Sequence, residues 1–506
     1  MGKQRIRVRN QRCNCCNSCI YKVPLIKESI INQLPGSHSA TMPLSSIALL
    51  LTFVASLLDQ VIDSTPLAAL TACALTLFVV LEWRATAIIG KAMVAIVVII
   101  AAVIYFQWNV SGEVLLEAMR RAGFFVALFV GIGLLREAAE MSPAIQRCGE
   151  YLVAQPPSRR YLALALSSHI FSIVLSIGTL PLLAGIINKN NALNAAKGNL
   201  EVWNIRQRRM AMAIMRGFNT TVFWSPFSLA LIVTNTSLNA GNLNDFYLIG
   251  FISGLIILLW GWVLDRFSVP QSLRLNVDPI DTTQRWPVLL NLVGLVLVVF
   301  FISLITAHLL HSSLLLGMLV SVPFVCAVCI MFYVDASSFA ERLQQTLQVL
   351  KQHATEQFPT YRSEASMVGT AGALGVLLSV IAPKEALAEL LTSLHLSGLP
   401  LALLIVVTVI LAGQLALVPL VSVTILASLL PPPELINLRY EEVMLAFVGA
   451  WAFATQSSIF SGTTLVTARQ FNRSATTIAY RWNGSFVLSG IVVLCLILTL
   501  VHNYYF

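Results

Sequence analysis

Two distant stretches of the chain follow one plan. An apolar segment is broken near its middle by Gly, Pro, Ser and Thr, and a second apolar segment with a polar interruption follows. The first stretch runs LSSHIFSIVLSIGTLPLLAGIINK (Leu166–Lys189) and then RGFNTTVFWSPFSLALIVTNT (Arg216–Thr236). The second runs VILAGQLALVPLVSVTILASLLPPP (Val409–Pro433) and then GAWAFATQSSIFSGTTLVTARQF (Gly449–Phe471). Backbone that leaves a helix at membrane depth is tolerated only where protein buries it or it lines a cavity. Paired interruptions at corresponding places in two halves therefore point to a binding site near mid-membrane.

The membrane setting follows from composition. Of 506 residues, 57% are hydrophobic and only 11% charged, whereas soluble domains carry about 25% charged residues. Apolar runs recur from Ser45 to Val501, each of about the 20 residues that a spanning helix needs. They are continuous rather than alternating, which excludes an outer-membrane barrel. The expected fold is an all-α polytopic membrane protein. The net charge is +9, and Lys3, Arg5, Arg7, Arg9, Arg12, Lys22 and Lys27 against Glu28 carry most of it. A basic tail before the first span reports orientation, since positive loops stay cytoplasmic, so no nucleic-acid partner is expected. Cys13, Cys15, Cys16 and Cys19 crowd this tail. Their C-x-C-C-x2-C pattern is not a standard zinc spacing, and an unstructured or lipidated tail is expected. Met42, directly ahead of the first span, is an alternative start, and no cleavable signal is evident. Cys73, Cys148, Cys326, Cys329 and Cys495 read as small packing residues.

Counting Lys and Arg in the loops orders the spans. With the tail inside, spans 1 to 3 cover about Ser45–Val61, Leu67–Leu81 and Ala92–Phe106. A short surface helix, Glu113–Arg121, precedes span 4, Phe124–Leu135; its two arginines violate the charge rule. The first broken segment, Tyr161–Ile187, has basic loops on both flanks and so reads as a re-entrant hairpin from the cytoplasm. Spans 5 and 6, Met210–Val233 and Phe246–Leu264, complete a first repeat. Spans 7 and 8, Val288–Leu309 and Ser313–Val334, lead to an amphipathic cytoplasmic segment, Asp335–Arg362. Span 9 (Ser366–Ile381), a hairpin from outside (Leu399–Leu430), span 10 (Val443–Val466) and span 11 (Phe486–Val501) make the second repeat. The expectation is eleven spans and two hairpins in an inverted-topology repeat, with the N-terminus cytoplasmic and the C-terminus external. In segments, this is a tail (1–41), scaffold helices (42–123), repeat one (124–265, hairpin 161–187), linking helices (266–365) and repeat two (366–506, hairpin 399–430).

The interruptions carry the candidate chemistry. Half-helix N-termini attract anions, and freed carbonyls and hydroxyls coordinate cations such as sodium. Hairpin one offers Ser176, Gly178 and Thr179; hairpin two offers Ser422 and Thr424 after Pro419. The break in span 5 offers Asn219, Thr220, Thr221 and Ser225; that in span 10 offers Thr455, Gln456, Ser457, Ser461 and Thr463. Individually such residues also line ordinary helix interfaces. Arg216, at the start of span 5, reads as a cytoplasmic-end anchor, with neutralisation of an anionic substrate as the alternative. His169 reads as a hydrogen-bonded packing residue, with proton coupling as the alternative. Glu137, Glu140, Asp265 and Asp335 fall at span ends as interfacial charges, and His308 with His311 is a weak metal pair. There is no nucleotide-binding loop, G-x-S-x-G or H-E-x-x-H, so no enzyme, metal centre or cofactor is expected.

The layout over Phe124–Val501 resembles the ion transporter superfamily, which includes divalent anion–sodium symporters, citrate–metal symporters, arsenite exporters and some sodium–proton antiporters. The symporter branch is similar in having eleven spans with one inward and one outward hairpin. Its dicarboxylate members carry Ser-Asn-Thr at each tip; here the places read Ser176-Ile-Gly-Thr179 and Ser422-Val-Thr424, without Asn. The resemblance implies elevator-type transport by a homodimer. The expected function is secondary active transport of a small, anionic solute, coupled to sodium or protons, in the inner membrane. The alternatives left open are a cation–proton antiporter of the same fold and a polytopic enzyme or assembly factor for envelope lipids or glycans.

Overall fold

Hydrocarbon offers no partner to backbone N–H and C=O groups, so apolar segments pair them internally as α-helix. The computed structural model describes residues 42–107, 110–140, 142, 147–148, 151–152, 155–190, 199–238, 243–268, 287–312, 314–334 and 336–505. The Cys-bearing tail 1–41, Lys197, Arg274, Arg285, Asp335 and the side chains of Glu137 and Glu140 lie outside them. Among the described residues there is no strand, and nine helical stretches are long and apolar enough to cross a membrane. The protein is an all-α polytopic membrane protein. Every element below lies within Pro43–Phe506.

The chain begins with α1 (Leu44–Ile62), α2 (Thr65–Glu82), α3 (Ile88–Gln107) and α4 (Gly112–Glu140). The expected surface helix Glu113–Arg121 and span 4 are a single helix, α4. The sequence between them holds no proline or polar break, and α4 therefore continues through it. Arg120 is not a free surface charge: its guanidinium meets Asp59 at 2.9 Å and Asp63 at 3.0 Å. Asp59 is only 3% exposed. The two carboxylates compensate the positive charge of Arg120.

Repeat one is α5 (Pro157–Leu175), a turn at Ser176–Gly178, α6 (Thr179–Asn190), α7 (Leu200–Thr220), a turn at Thr221–Phe223, α8 (Leu229–Leu238) and α9 (Leu243–Phe267). Side chains show that α5–α6 is re-entrant. Arg209 of α7 pairs with Asp265 of α9 at 2.7 Å, marking one end of the repeat. Arg160, at the start of α5, lies in electrostatic reach of Arg206 and Arg209. Asn188, near the end of α6, donates to the Gln470 carbonyl, and the neighbouring Phe471 carbonyl accepts from Gln207 of α7. Both ends of the hairpin thus meet the same basic end of α7. Along its length α5 lies directly on α7: a Cβ at Gly217 would fall 2.1 Å from the Ala165 carbonyl oxygen, a contact only glycine permits.

The linking helices are α10 (Val288–Leu309), α11 (Leu314–Tyr333), α12 (Phe339–Gln357), α13 (Arg362–Ile381) and α14 (Lys384–Ser393). The Ser303 and Ser321 hydroxyls, 2.8 Å apart, join α10 to α11. The amphipathic segment forms α12, with the Ser338 hydroxyl accepting from the Glu341 amide at its N-cap. The α14 helix is an addition to the sequence reading; its ten residues are too few to mark a span.

Repeat two is α15 (Leu399–Gln414), α16 (Pro419–Leu429), α17 (Tyr440–Ser457), α18 (Gly462–Gln470), a π-turn at Thr477–Trp482 and α19 (Gly484–Tyr505). The Gly398 amide, just before α15, donates to the Ile436 carbonyl, just after α16, at 2.7 Å. Hairpin two therefore also returns to its starting end. The two broken spans run antiparallel. Tyr440 at the start of α17 bonds to Asn235 late in α8, while Arg473, past α18, bonds to Asn204 and Gln207 early in α7. The return arms are exchanged, α6 packing on α18 and α16 on α8. These relations are those of an inverted repeat.

In a background without the natural cysteines, Arg159→Cys and Lys189→Cys should react with an impermeant thiol reagent from one membrane face. His395→Cys and Leu435→Cys should react from the other. Labelling of the first pair from opposite faces would contradict a re-entrant hairpin one. Separately, Arg120→Ala should lower the unfolding midpoint in detergent by an amount worth about 3 kcal/mol, since it leaves the Asp59 carboxylate buried without its partner.

Candidate functional site

Helix α7 stops at Thr220, and α8 begins only at Leu229. Pro226 cannot donate, and Ser225 ties the loop by accepting from the Phe227 amide at 3.3 Å. Freed carbonyls here face glycines of α9: a Cβ at Gly250 would meet the Phe223 oxygen at 2.4 Å. Hairpin one approaches the break from its other side. The Ser172 hydroxyl bonds to that of Thr221, and His169 Nδ1 lies 3.0 Å from Thr220 Oγ1. The Trp224 indole N–H donates to His169 Nε2 at 3.0 Å, and the two rings stack at an interplanar angle of 27°.

The second break is built from Ser458 to Ser461. Ser461 is the N-cap of α18, its hydroxyl accepting from the Thr464 amide at 3.2 Å. The Ser461 and Thr464 hydroxyls both reach back to the Thr455 carbonyl, at 2.5 and 3.3 Å, and so occupy an acceptor that the end of α17 leaves free. Thr455 Oγ1 then donates to Asn219 Oδ1 at 2.8 Å, joining the two breaks. On the far side, Gln414 Nε2 at the end of α15 donates to Ser457 Oγ at 2.8 Å, and Tyr480 O–H of the π-turn donates to Gln414 Oε1. A chain of polar contacts thus runs from hairpin one through both breaks to hairpin two.

Arg216 is not the interfacial anchor expected. It is 6% exposed and lies one turn before the first break. Its Nε donates to Asn483 Oδ1 at 2.9 Å and its Nη1 to Tyr161 Oη at 3.1 Å, and the Phe486 ring lies 4.4 Å away. Asn483 in turn donates to the Gln456 carbonyl at 3.4 Å. None of these partners is a carboxylate; the neighbouring acid, Asp265, is paired with Arg209. A permanent positive charge therefore sits inside the protein beside the carbonyl end of α17, which favours cations.

Several of the expected site residues come together: Asn219, Thr220, Thr221, Thr455, Gln456, Ser457 and Ser461 lie in or directly beside this polar chain. Thr179 Oγ1 and Gln456 Oε1 are fully buried without hydrogen-bond partners; leaving such an atom unpaired costs about 1–3 kcal/mol. Ser176 forms the tip of hairpin one at φ 49° with Gly178 buried two residues on, and Thr463 is buried in the first turn of α18. Ile177 of this tip lies 3.5 Å from where a Cβ on Gly462 would stand, so it reaches the second break. Ser422 and Thr424 are placed differently. The turn of hairpin two is Leu415–Val418, upstream of both, and their hydroxyls bond to carbonyls of their own helix. Gln414, Asn483, Tyr480 and Tyr161 were missed, although an amide inside an apolar run is itself a signal. Among the described residues no group of three or more His, Cys, Asp or Glu is placed to hold a metal ion.

Replacing a buried charge by an apolar side chain of similar length is often neutral for stability. Arg216→Met should therefore keep the unfolding midpoint within about 1 kcal/mol of wild type; Asn483→Leu, which takes the Nε acceptor from Arg216, should lower it by about 2 kcal/mol.

No protein family matches the chain, and no curated protein does. Among solved structures, the YdaH transporter of Alcanivorax borkumensis, whose crystal structure is described as having an unusual topology, is similar over 74% of this chain and 85% of its own. The two are 15% identical over the match, with a TM-score of 0.47.

Proposed function

We propose that this protein is a secondary active transporter of a small, anionic solute, driven by a sodium or proton gradient. The observation that carries this reading is the crossing of two antiparallel broken spans, Asn219 against Thr455, beside a buried arginine with no carboxylate partner. Half-helix ends offer an ion bare backbone groups without full desolvation cost. A solute anion is the natural counter-charge for Arg216, whose protein partners are all neutral. Buried Thr179 and Gln456 oxygens beside the same interruptions add polar contacts for solute or coupling ion.

The same features favour membership of the ion transporter superfamily and elevator-type movement, in which hairpins and broken spans travel together within a homodimer. Arg160, Arg206, Arg209 and Arg473 gather at one end of the repeats, which by the positive-inside rule is the cytoplasmic end of an inner-membrane protein. The test is uptake into proteoliposomes with a panel of organic and inorganic anions, with and without sodium or pH gradients. Wild-type protein should accumulate at least one of them, and Arg216→Met should lose at least about tenfold in uptake, the effect of some 1.4 kcal/mol in solute binding. Absence of flux and of thermal stabilisation across the panel would refute the reading.

A further inference from the structure

The His169 side chain is held in one protonation state by geometry alone. An indole N–H can only donate, so His169 Nε2, 3.0 Å from Trp224 Nε1, presents its lone pair. The ring proton must then be on Nδ1, which donates to Thr220 Oγ1 at 3.0 Å; the Thr220 hydroxyl passes its own proton to the Gly217 carbonyl at 2.9 Å. Every proton in this chain is used once, and the neutral ring is fully satisfied. A second proton on Nε2 would set N–H against N–H and eject the indole. Trp224 is the first residue after the turn that ends α7, so ejecting it removes one of the bonds between the break and hairpin one, while those of Thr220 and Thr221 to His169 and Ser172 remain.

We propose that His169 Nε2 is the proton-binding site of the transport cycle, and that proton binding and the Trp224 contact exclude each other. This rests on the transporter reading and names its coupling ion as the proton. Charged side chains on the elements packed around α5 are Glu201, Arg206, Arg208, Arg209 and Arg216 of α7, Asp245, Asp265 and Arg266 of α9, Lys189 of α6, and Glu113, Glu117, Arg120, Arg121 and Arg136 of α4, with Arg159 and Arg160 on α5 itself; the Glu137 and Glu140 side chains of α4 lie outside the described residues. Among the described residues none of these bonds to the ring, and Asp265 is committed to Arg209. Among the described residues the imidazolium consequently has no carboxylate bonded to it in the arrangement seen. It becomes stable when Trp224 withdraws and water, or the solute anion, reaches Nε2. One proton from the aqueous phase and one anion then enter together, with the indole N–H bond as the only protein bond lost at the ring. By linkage, solute binding raises proton affinity by the same factor that the proton raises solute affinity.

The discriminating variant is His169→Gln, whose amide accepts and donates like the neutral ring but takes up no proton. Tryptophan emission of the purified wild type, less that of Trp224→Phe, should change reversibly on moving from mildly alkaline to clearly acidic pH. That difference signal should be pH-independent in His169→Gln. In proteoliposomes, solute uptake by the variant should lose its acceleration by an inward proton gradient. A flat wild-type signal, or the same pH response in His169→Gln, would overturn the proposal. Should the variant fail to fold, the 15N ring resonances of wild-type histidines decide: Nε2 of His169 must move to the protonated range on acidification, and a ring that stays neutral overturns it. The fluorescence and resonance readouts need no transported solute, so they fail separately from the transporter reading.

Discussion

Backbone groups released from a helix in the middle of a membrane must find partners inside the protein, because the surrounding hydrocarbon supplies none. Four interruptions place this demand on one region of the chain. Among the answers are two hydroxyls on the Thr455 carbonyl and an asparagine amide on the Gln456 carbonyl. Once those groups are fixed, the positions of both hairpins are nearly determined. His169 and Ser172 can bond to the first break only if α5 runs beside α7. Gln414 can bond to Ser457 only if α15 runs beside α17.

The inverted repeat is therefore expressed in bonds as well as in topology. In each half the first hairpin arm lies along the first part of a broken span, and the return arm packs on the second part of the other half's broken span. The two halves are not chemically equal. Tip one is half-buried and reaches Gly462, whereas tip two presents Leu415, 83% exposed. The only buried arginine at the crossing, among the described residues, belongs to half one, and the π-turn that holds Gln414 belongs to half two.

Much of this was legible in sequence because it depends on residues that interrupt helices. Gly178 with Pro181, Pro226, and Ser458 to Ser461 mark the breaks almost where they occur, and loop arginines fix which ends of the hairpins lie together. The misreadings have a common cause: they concern charges and amides whose meaning depends on a distant partner. Arg120 looked like a surface residue because Asp59, its partner, lies in another helix. Arg216 looked like an anchor because Asn483 and Tyr161 come from either side of it in the chain. The turn of hairpin two was placed late because Pro419 starts a helix here, as proline does at a first helical position, and does not end one.

The links between the broken spans sit at both ends and at the centre: Gln207 with Arg473, Asn219 with Thr455, and Asn235 with Tyr440. Sliding one span past the other by a single helical turn would break all three together, at a cost of about 3 kcal/mol before any packing is lost. Tilting about the centre would still stretch the outer two. Mechanically the pair is a braced strut, stiff along its own length and against shear. Any large displacement of the pair has to be absorbed where the strut meets its surroundings, the hairpin arms α5 and α15 and the flanking helices α9 and α19.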